Sequence, residues 1–195
     1  MLLTRAPKYG NDDDYVDNLL GEVLLWESEE VPKYSSPRGC PHGVAGLYTL
    51  TLNVPNGKAV GATPDGRKAG EPLGEGGASP YQGRDKSGPT ATIRSVAKLP
   101  WDGIGGGVFN MRFSPQAVED EEGIQKFVSL IRAYEEMAGW HVQFNIVSNE
   151  TLRDAQKHPE QHKDLMVRVA GFSAFFTQLH KDIQDNIIAR TEHRF

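Results

Sequence analysis

The most constraining feature of the chain is a hydrophobic run near its end that a single glycine interrupts. Residues 165–170 have the composition of a β-strand, Gly171 follows, and aromatic residues continue to Phe176. An amphipathic pattern over 178–190 then predicts a closing helix. Taken alone, this order predicts a strand–turn–helix connection in which Gly171 supplies a backbone angle that other residues rarely adopt.

Composition narrows the classes of protein that the chain can belong to. A length of 195 residues allows one domain with a hydrophobic core, or part of a larger fold. The net charge of −5 argues against a nucleic-acid surface, which needs a basic face. No apolar run approaches a membrane span, and the N-terminus has too short an apolar core for a signal peptide. The single cysteine, Cys40, excludes an internal disulfide. We therefore expect a cytoplasmic protein without nucleic-acid or membrane partners.

Three helices are predicted where apolar spacing and terminal residues agree. The acidic residues of segment 11–14 precede a helical repeat and predict a capped helix that ends before Pro32. The clearest helix is predicted over 119–138, with Gly139 as its C-terminal stop. Asn149 is predicted to cap a third, short helix.

Strands are predicted in the segments that are rich in β-branched and aromatic residues. These segments are 47–54, 90–99, 108–113 and 140–147. Between the first two, residues 55–89 are almost all of the types that favour turns, and loops of that length tend to be functional. The predicted order indicates an α/β chain with a mixed sheet.

Polar side chains offer little support for metal or nucleophilic chemistry. His158 and His162 are four positions apart, but Pro159 interrupts the helix that would have to present both, so they are interpreted as surface residues. His141 alternates within a predicted strand and is expected to be a hydrogen-bonded structural residue. Cys40 is expected to be a buried or inert thiol. No metal site is predicted.

Residues around Gly171 resemble the C-terminal signature of the glycyl radical enzymes, the pyruvate formate-lyase-like superfamily. The resemblance lies in Arg168-Val169-Ala170-Gly171-Phe172-Ser173-Ala174 and in the later Ile187-Ile188-Ala189-Arg190-Thr191. Other segments match family landmarks in order, so the resemblance covers essentially the whole chain. These segments are 9–12, 61–68, 79–80, 88–90, 109–111 and 141–145.

The resemblance implies a fold as well as a site. It implies the second half of a ten-stranded α/β barrel, with a C-terminal radical loop and a terminal helix. Residues 1–65 would be the C-terminal remnant of the pyruvate formate-lyase-type barrel domain, and residues 66–195 the glycine radical domain. Half a barrel leaves open strand edges and an uncovered apolar face, so the isolated chain is expected to aggregate or form a higher oligomer.

The resemblance also implies that Gly171 is the catalytic residue and stores a radical on its α-carbon. The adjacent nitrogen donates electron density and the adjacent carbonyl accepts it, and this delocalisation needs a planar centre that a side chain would obstruct. A partner activase, using S-adenosylmethionine and an iron–sulfur cluster, would remove one hydrogen atom, and this chain would bind no cofactor tightly. Burial of Gly171 is expected to exclude oxygen. The residues assigned to support the radical loop are Arg168, Val169, Ala170, Phe172 and Ser173, with apolar cover extending to Phe175 and Phe176.

Arg190 matches a recurrent arginine of the family. The resemblance allows it to seat the radical loop or to dock the activase. A charge that complements the C-terminal end of a helix is the alternative interpretation of the same residue.

One catalytic part of the family is missing from the sequence. In the family a cysteine forms a thiyl radical, and it lies several hundred residues before the radical glycine on the other half-barrel. Cys40 is much nearer to Gly171, and the residues that follow it differ from the family pattern. Cys40 is therefore not expected to be the thiyl cysteine. The main hypothesis is a radical-bearing subunit or fragment that passes its radical to a cysteine on a separate large chain.

The residues that follow Gly171 favour the dehydratase, decarboxylase and fumarate-adding branch of the family, and hence a lyase reaction. Two alternatives to the subunit hypothesis remain. One is a spare radical domain that repairs an oxygen-cleaved enzyme, and the other is a binding or structural domain in which Gly171 only turns the chain.

Overall fold

The computed structural model describes residues 2–40, 42–43 and 46–195. Its α-helices are α1 (Leu2–Arg5), α2 (Asp14–Glu30), α3 (Asn53–Ala59), α4 (Pro89–Ala97), α5 (Glu121–Glu136), α6 (Asn149–Lys157) and α7 (Lys181–Ala189). Its β-strands are β1 (Asn110–Phe113), β2 (Gln143–Ile146), β3 (Met166–Arg168), β4 (Ser173–Phe175) and β5 (Glu192–His193). Short 3-10 helices lie at Val31–Lys33, Trp101–Gly103, Pro115–Val118, Pro159–Gln161 and Phe176–Gln178. Within the described ranges, none of the helices is long and apolar enough to cross a membrane.

The strands form two separate sheets. Strands β2, β1 and β5 make a three-stranded parallel sheet with β1 in the centre. Strands β3 and β4 make an antiparallel hairpin. The prediction of an α/β chain is confirmed, but the single mixed sheet is wrong, because parallel and antiparallel pairs are divided between the two sheets. Helix α5 lies in the crossover that the parallel pair β1–β2 needs.

The central strand has two buried faces of opposite chemistry. Phe109, Met111 and Phe113 belong to an apolar core that also contains residues of α2, α4 and α5. Asn110 and Arg112 alternate with them, and so lie on the other face, where both are buried. The parallel register places Asn110 beside Gln143 and Arg112 beside Asn145. This second face is therefore a buried polar layer.

A second apolar core lies around the hairpin and the two helices near it. It contains residues of α6, β3 and α7, together with the aromatic residue that follows β4. Its buried members are Val147, Leu152, Ala155, Val167, Val169, Phe176, Ile187 and Ile188. The polar layer of the parallel sheet lies on the same side as this core. Its Gln143 and Asn145 side chains form hydrogen bonds with Arg168 of the hairpin.

The two longest helices begin where the sequence predicts. The Asp13 carboxylate accepts hydrogen bonds from the backbone N–H groups of Tyr15 and Val16 at the start of α2. The Asp120 carboxylate caps α5 in the same way, through the Gly123 N–H. Helix α2 ends one residue before the Val31–Lys33 turn, as Pro32 requires.

Two helix ends differ from the prediction by one residue. Ala138, not Gly139, adopts the left-handed φ of 58° after α5. Gly139 is needed for space, because a Cβ atom there would lie 2.3 Å from the Tyr134 ring. Ser148, not Asn149, caps α6, since its hydroxyl accepts from the Thr151 N–H.

Two predicted strands are wrong. Residues 90–99 fall largely within helix α4, which begins at Pro89, where φ is pre-set and no N–H is needed. Thr92, Ile93 and Val96 are buried in α4, so helical burial overrides their β-propensity. Residues 47–54 contain a bridge at Leu47 and a turn, and their last two residues begin helix α3.

Candidate radical site

Gly171 lies at the tip of the β3–β4 hairpin. The Val169 N–H donates to the Phe172 carbonyl at 2.8 Å, which leaves Ala170 and Gly171 as the two residues at the turn. Gly171 has a φ of +84°. Among the described residues other than its chain neighbours, a Cβ atom added there would meet only Val108 Cγ2, at 4.0 Å. The requirement for glycine in this fold is therefore conformational, as a turn with a positive φ at its third position demands, and does not come from crowding.

The radical site is not buried within the described chain alone, so its burial stays a prediction for the assembled enzyme. Gly171 itself is exposed, and Phe172 and Phe175 are 41% and 37% exposed. The inner side of the hairpin packs on the second core, while its outer side faces away from the rest of the described chain. The flanking residues that are buried are Val169, Ala170 and Phe176.

The base of the tip is held by two polar side chains of β2. Asn145 forms a pair of hydrogen bonds with the main chain of Arg168: its Oδ1 accepts from the Arg168 N–H and its Nδ2 donates to the Arg168 carbonyl, both at 2.8 Å. The Arg168 guanidinium donates to Gln143 Oε1 at 2.9 Å and to Ser173 Oγ at 3.1 Å. Arg168 is thus fixed through both its main chain and its side chain.

Gln143 contacts Gly171 directly. Its Oε1 accepts a hydrogen bond from the Gly171 N–H at 3.3 Å. Its Nε2 donates to Asn110 Oδ1 on the neighbouring strand, and Asn110 Nδ2 donates to the Glu75 carboxylate. Glu75, Asn110 and Gln143 are all buried, at 3%, 7% and 6% exposure. A continuous chain of buried hydrogen bonds therefore ends at the Gly171 amide.

Arg190 reaches the same tip from the end of α7. Its Nη2 donates to the Val169 carbonyl at 2.7 Å and its Nη1 to the Arg168 carbonyl at 3.3 Å. The guanidinium also pairs with the Glu75 carboxylate at 3.3 Å. Burial raises the pKa of Glu75, and the charge of Arg190 opposes that rise. The side-chain contacts of Arg190 are thus with the hairpin and Glu75.

The sequence analysis assigns no role at the site to four residues of this arrangement, Glu75, Asn110, Gln143 and Asn145, although the last three lie in segments that match family landmarks. The signal that could have found them is the placement of Gln143 and Asn145 at alternate positions of a predicted strand. That pattern normally indicates a solvent-facing strand surface. Here both side chains are buried, because the hairpin covers that face of the sheet.

Histidines in the part of the chain that the structure describes make hydrogen bonds and ion pairs with nearby groups. His141 Nδ1 accepts from the Phe109 N–H at 3.3 Å, which confirms its prediction as a hydrogen-bonded residue, and burial lowers its pKa. His158 and His162 both contact Asp154, at 3.0 and 2.7 Å. Among residues 2–40, 42–43 and 46–195, no three His, Cys, Asp or Glu side chains are grouped so that they could hold a metal ion.

Cys40 does not have the environment expected of a buried thiol. It is exposed. The chain turns tightly just before it, because the Gly39 N–H donates to the Ser36 carbonyl and the Ser36 N–H to the Cys40 carbonyl, both at 2.8 Å. This turn lies at the surface, so burial, one of the two expected states of this thiol, is wrong, and an inert thiol stays a prediction.

Two family models match the chain. The model described as Glycine radical matches residues 75–177, which include the whole hairpin. The model described as Pyruvate formate lyase-like matches residues 1–57.

Individual relatives are similar along the full chain. The "Probable dehydratase YbiW" of Escherichia coli K12 is 53% identical over 98% of this chain and 24% of its own length. The indoleacetate decarboxylase of Tractidigestivibacter scatoligenes is 44% identical over 98% of this chain and 22% of its own length. The glycerol-bound B12-independent glycerol dehydratase of Clostridium butyricum matches with a TM-score of 0.92 and 50% identity, over 100% of this chain and 25% of that one. The chain thus spans about a quarter of the length of the relatives that it matches.

Proposed function

Because this chain belongs to the glycyl radical enzyme family, we propose that it stores an organic radical on the α-carbon of Gly171. The observation that supports this most directly is the combination of an exposed glycine at the hairpin tip and an amide held by Gln143. A turn glycine needs only the positive φ. The buried hydrogen bonds that connect Glu75, Asn110 and Gln143 to the Gly171 amide are not needed to form the turn.

Removal of one hydrogen atom from the Gly171 α-carbon would leave one unpaired electron there. The Gly171 nitrogen and carbonyl would share it, provided that both peptide groups stay close to the plane of the radical centre. The contacts of Asn145 and Arg190 with the Arg168 and Val169 main chain would fix the N-terminal side of the tip. In this proposal a separate activase, which uses S-adenosylmethionine and an iron–sulfur cluster, takes the hydrogen atom.

A thiol outside these 195 residues would use the stored radical. The S–H bond of a cysteine on a separate large chain would give its hydrogen atom back to Gly171, and the resulting thiyl radical would take a hydrogen atom from substrate. The residues that follow Cys40 differ from the family pattern, which argues against its use for this step. The exposed Phe172 and Phe175 favour a covering polypeptide, since an uncovered radical would meet oxygen.

We propose a lyase reaction for the assembled enzyme, because relatives with similar sequences are named as dehydratases and a decarboxylase. The two family matches favour a division into a barrel-domain remnant (residues 1–65) and a glycine radical domain (residues 66–195). Together these segments would form part of the second half of a ten-stranded barrel.

Anaerobic activation tests the proposal. The full chain is incubated with a radical S-adenosylmethionine activase, with and without candidate large chains, and electron paramagnetic resonance (EPR) spectra are recorded. We expect a doublet signal. Absence of the signal under every combination would contradict radical storage on this chain.

Co-purification tests the subunit arrangement separately. We expect a stoichiometric large partner that lacks a radical glycine of its own. A complete partner enzyme with its own radical glycine would instead indicate a repair function. A well-behaved monomer with one sharp thermal transition would argue against an incomplete barrel.

A further inference from the structure

The hydrogen-bonded chain behind Gly171 has a fixed direction. A side-chain amide has a donor end and an acceptor end, and either end could face a given neighbour. Glu75 removes that freedom at one end of the chain, because a carboxylate paired with Arg190 can only accept. Asn110 must then turn its NH₂ group to Glu75 and its carbonyl to Gln143.

The other end of the chain has the same direction for the opposite reason. A guanidinium can only donate, so Arg168 requires the carbonyl of Gln143 to face it. The two amides are therefore aligned between an anion and a cation. Alignment of this kind strengthens each hydrogen bond in the chain. The carbonyl that results at its end also accepts the Gly171 N–H.

We propose that Glu75, Asn110 and Gln143 are positioning residues for the radical glycine, and that the charge of Glu75 sets the polarity of the Gln143 amide against the Gly171 N–H. The proposal rests on the proposed function of Gly171. A carbonyl on this N–H favours electron donation by the Gly171 nitrogen into the half-filled orbital, and it fixes the orientation of that N–H group. Glu75 touches neither substrate nor radical, and acts through the two amides.

Hydrogen exchange of the Gly171 amide measures the contact without any radical. Deuterium uptake at Gly171 in the full, unactivated chain is followed by mass spectrometry with residue-level fragmentation. Gln143→Met keeps the length of the side chain but removes its acceptor, and we expect exchange about tenfold faster, as loss of one hydrogen bond of ordinary strength gives. Glu75→Gln should speed exchange by a smaller factor, about threefold, because Arg168 still orients Gln143.

Moving the carboxylate from position 75 to position 110 tests whether its charge, rather than the packing of the Glu75 side chain, sets the direction of the Gln143 amide. In the double variant Glu75→Gln with Asn110→Asp, the carboxylate at position 110 can accept from both neighbours, so Gln143 regains its direction. We expect the exchange rate to return to within about twofold of the unsubstituted chain. Circular dichroism shows whether Glu75→Gln folds. If it does not, Asn110→Ala is used in its place, because that variant interrupts the series of hydrogen bonds and leaves the Glu75–Arg190 pair intact. An unchanged Gly171 exchange rate in Gln143→Met would overturn the proposal, and so would an unchanged rate in Glu75→Gln or in the Asn110→Ala that replaces it. A double variant that does not restore protection would overturn it as well.

The link to the radical is tested in the same variants after activation. We expect Gln143→Met to give a doublet at least about threefold weaker per chain, and Asp17→Asn, which alters a buried carboxylate in another cluster, to give an unchanged one. If Gln143→Met gives an unchanged doublet, the positioning proposal is wrong while radical storage stands. If no protein gives a doublet, radical storage is wrong, and the exchange rates still decide whether the amide chain orients Gly171.

Discussion

Two polar clusters in this chain contain similar groups but end differently. In the first, Lys98 Nζ lies 2.7, 2.6 and 3.0 Å from carboxylate oxygens of Asp12, Asp14 and Asp17, and joins α2 to the end of α4. In the second, amides connect Glu75 to Arg168, and the chain ends on the main chain of Gly171 at an exposed hairpin tip. The first cluster links two helices of the fold, whereas the second orients one glycine. We expect the first to affect stability and the second to affect the radical.

The largest expected effect is at the end of the second cluster. Gly171→Ala should abolish the EPR doublet completely, because no planar glycyl centre can form. The free energy of unfolding should fall by only about 1–2 kcal/mol, the cost of a left-handed φ for a non-glycine residue. Activation followed by EPR, together with urea unfolding, measures both quantities. A retained doublet would show that the radical lies elsewhere.

Removal of the cation from the first cluster should lower the free energy of unfolding and leave the EPR doublet unchanged. Lys98→Met leaves Asp17, which is fully buried, without its charged partner. We expect a loss of about 3 kcal/mol in the free energy of unfolding, as for a broken buried ion pair. The EPR signal per folded chain should not change. The matched control is Lys126→Met, whose exposed pair with Glu122 should contribute less than about 1 kcal/mol.

Acid should weaken the first cluster in a way that can be assigned to Asp12. The hydrogen bond from Lys98 lowers the pKa of Asp12 below its ordinary value. A lowered pKa in the folded state means that the contribution is present above the unfolded pKa, about 3.9, and is lost as the pH falls below it. The melting temperature should therefore fall less between pH 7 and pH 3 in Asp12→Asn than in the unsubstituted chain. Equal falls would show that the Asp12–Lys98 contact adds no stability.

The smallest expected effect is at the rim of the second cluster. Ser173→Ala removes one hydrogen bond from Arg168 at an exposed position. Arg168 keeps its contacts with Gln143 and Asn145, so stability should change by less than about 1 kcal/mol. The doublet should keep its intensity. A large loss of signal would mean that Ser173 contributes more to the radical than its one contact indicates.

The sequence predicts helix caps better than it predicts either polar cluster. Asp13 and Asp120 cap their helices, and helix caps are local signals that lie within a few residues of the groups they bind. The prediction of a strand over 90–99 is wrong because it rests on the β-branched residues of that segment. The burial of Ile93 and Val96 against a distant part of the chain favours a helix instead. Burial of that kind depends on tertiary contacts, which a local pattern does not contain.

The glycine could be predicted, but its environment could not. Gly171 belongs to a local motif, so the resemblance identifies it directly. Glu75, Asn110 and Gln143 lie far apart in sequence. The parallel register places Asn110 of β1 beside Gln143 of β2, and a bridge between Gly77 and Val108 brings the segment of Glu75 to the start of β1. The exposure of Phe172 and Phe175 also differs from expectation, because cover for the outer side of the hairpin is not present in the described chain.

The central claim is that the radical of this chain resides on a glycine α-carbon. The most direct test is anaerobic activation of chain that has been prepared with glycine deuterated at the α-carbon, beside an unlabelled sample. We predict a doublet in the unlabelled sample, split by the one remaining α-hydrogen, and its collapse to a single narrow line in the deuterated sample. No signal in either sample, or a signal that deuteration leaves unchanged, would contradict the claim.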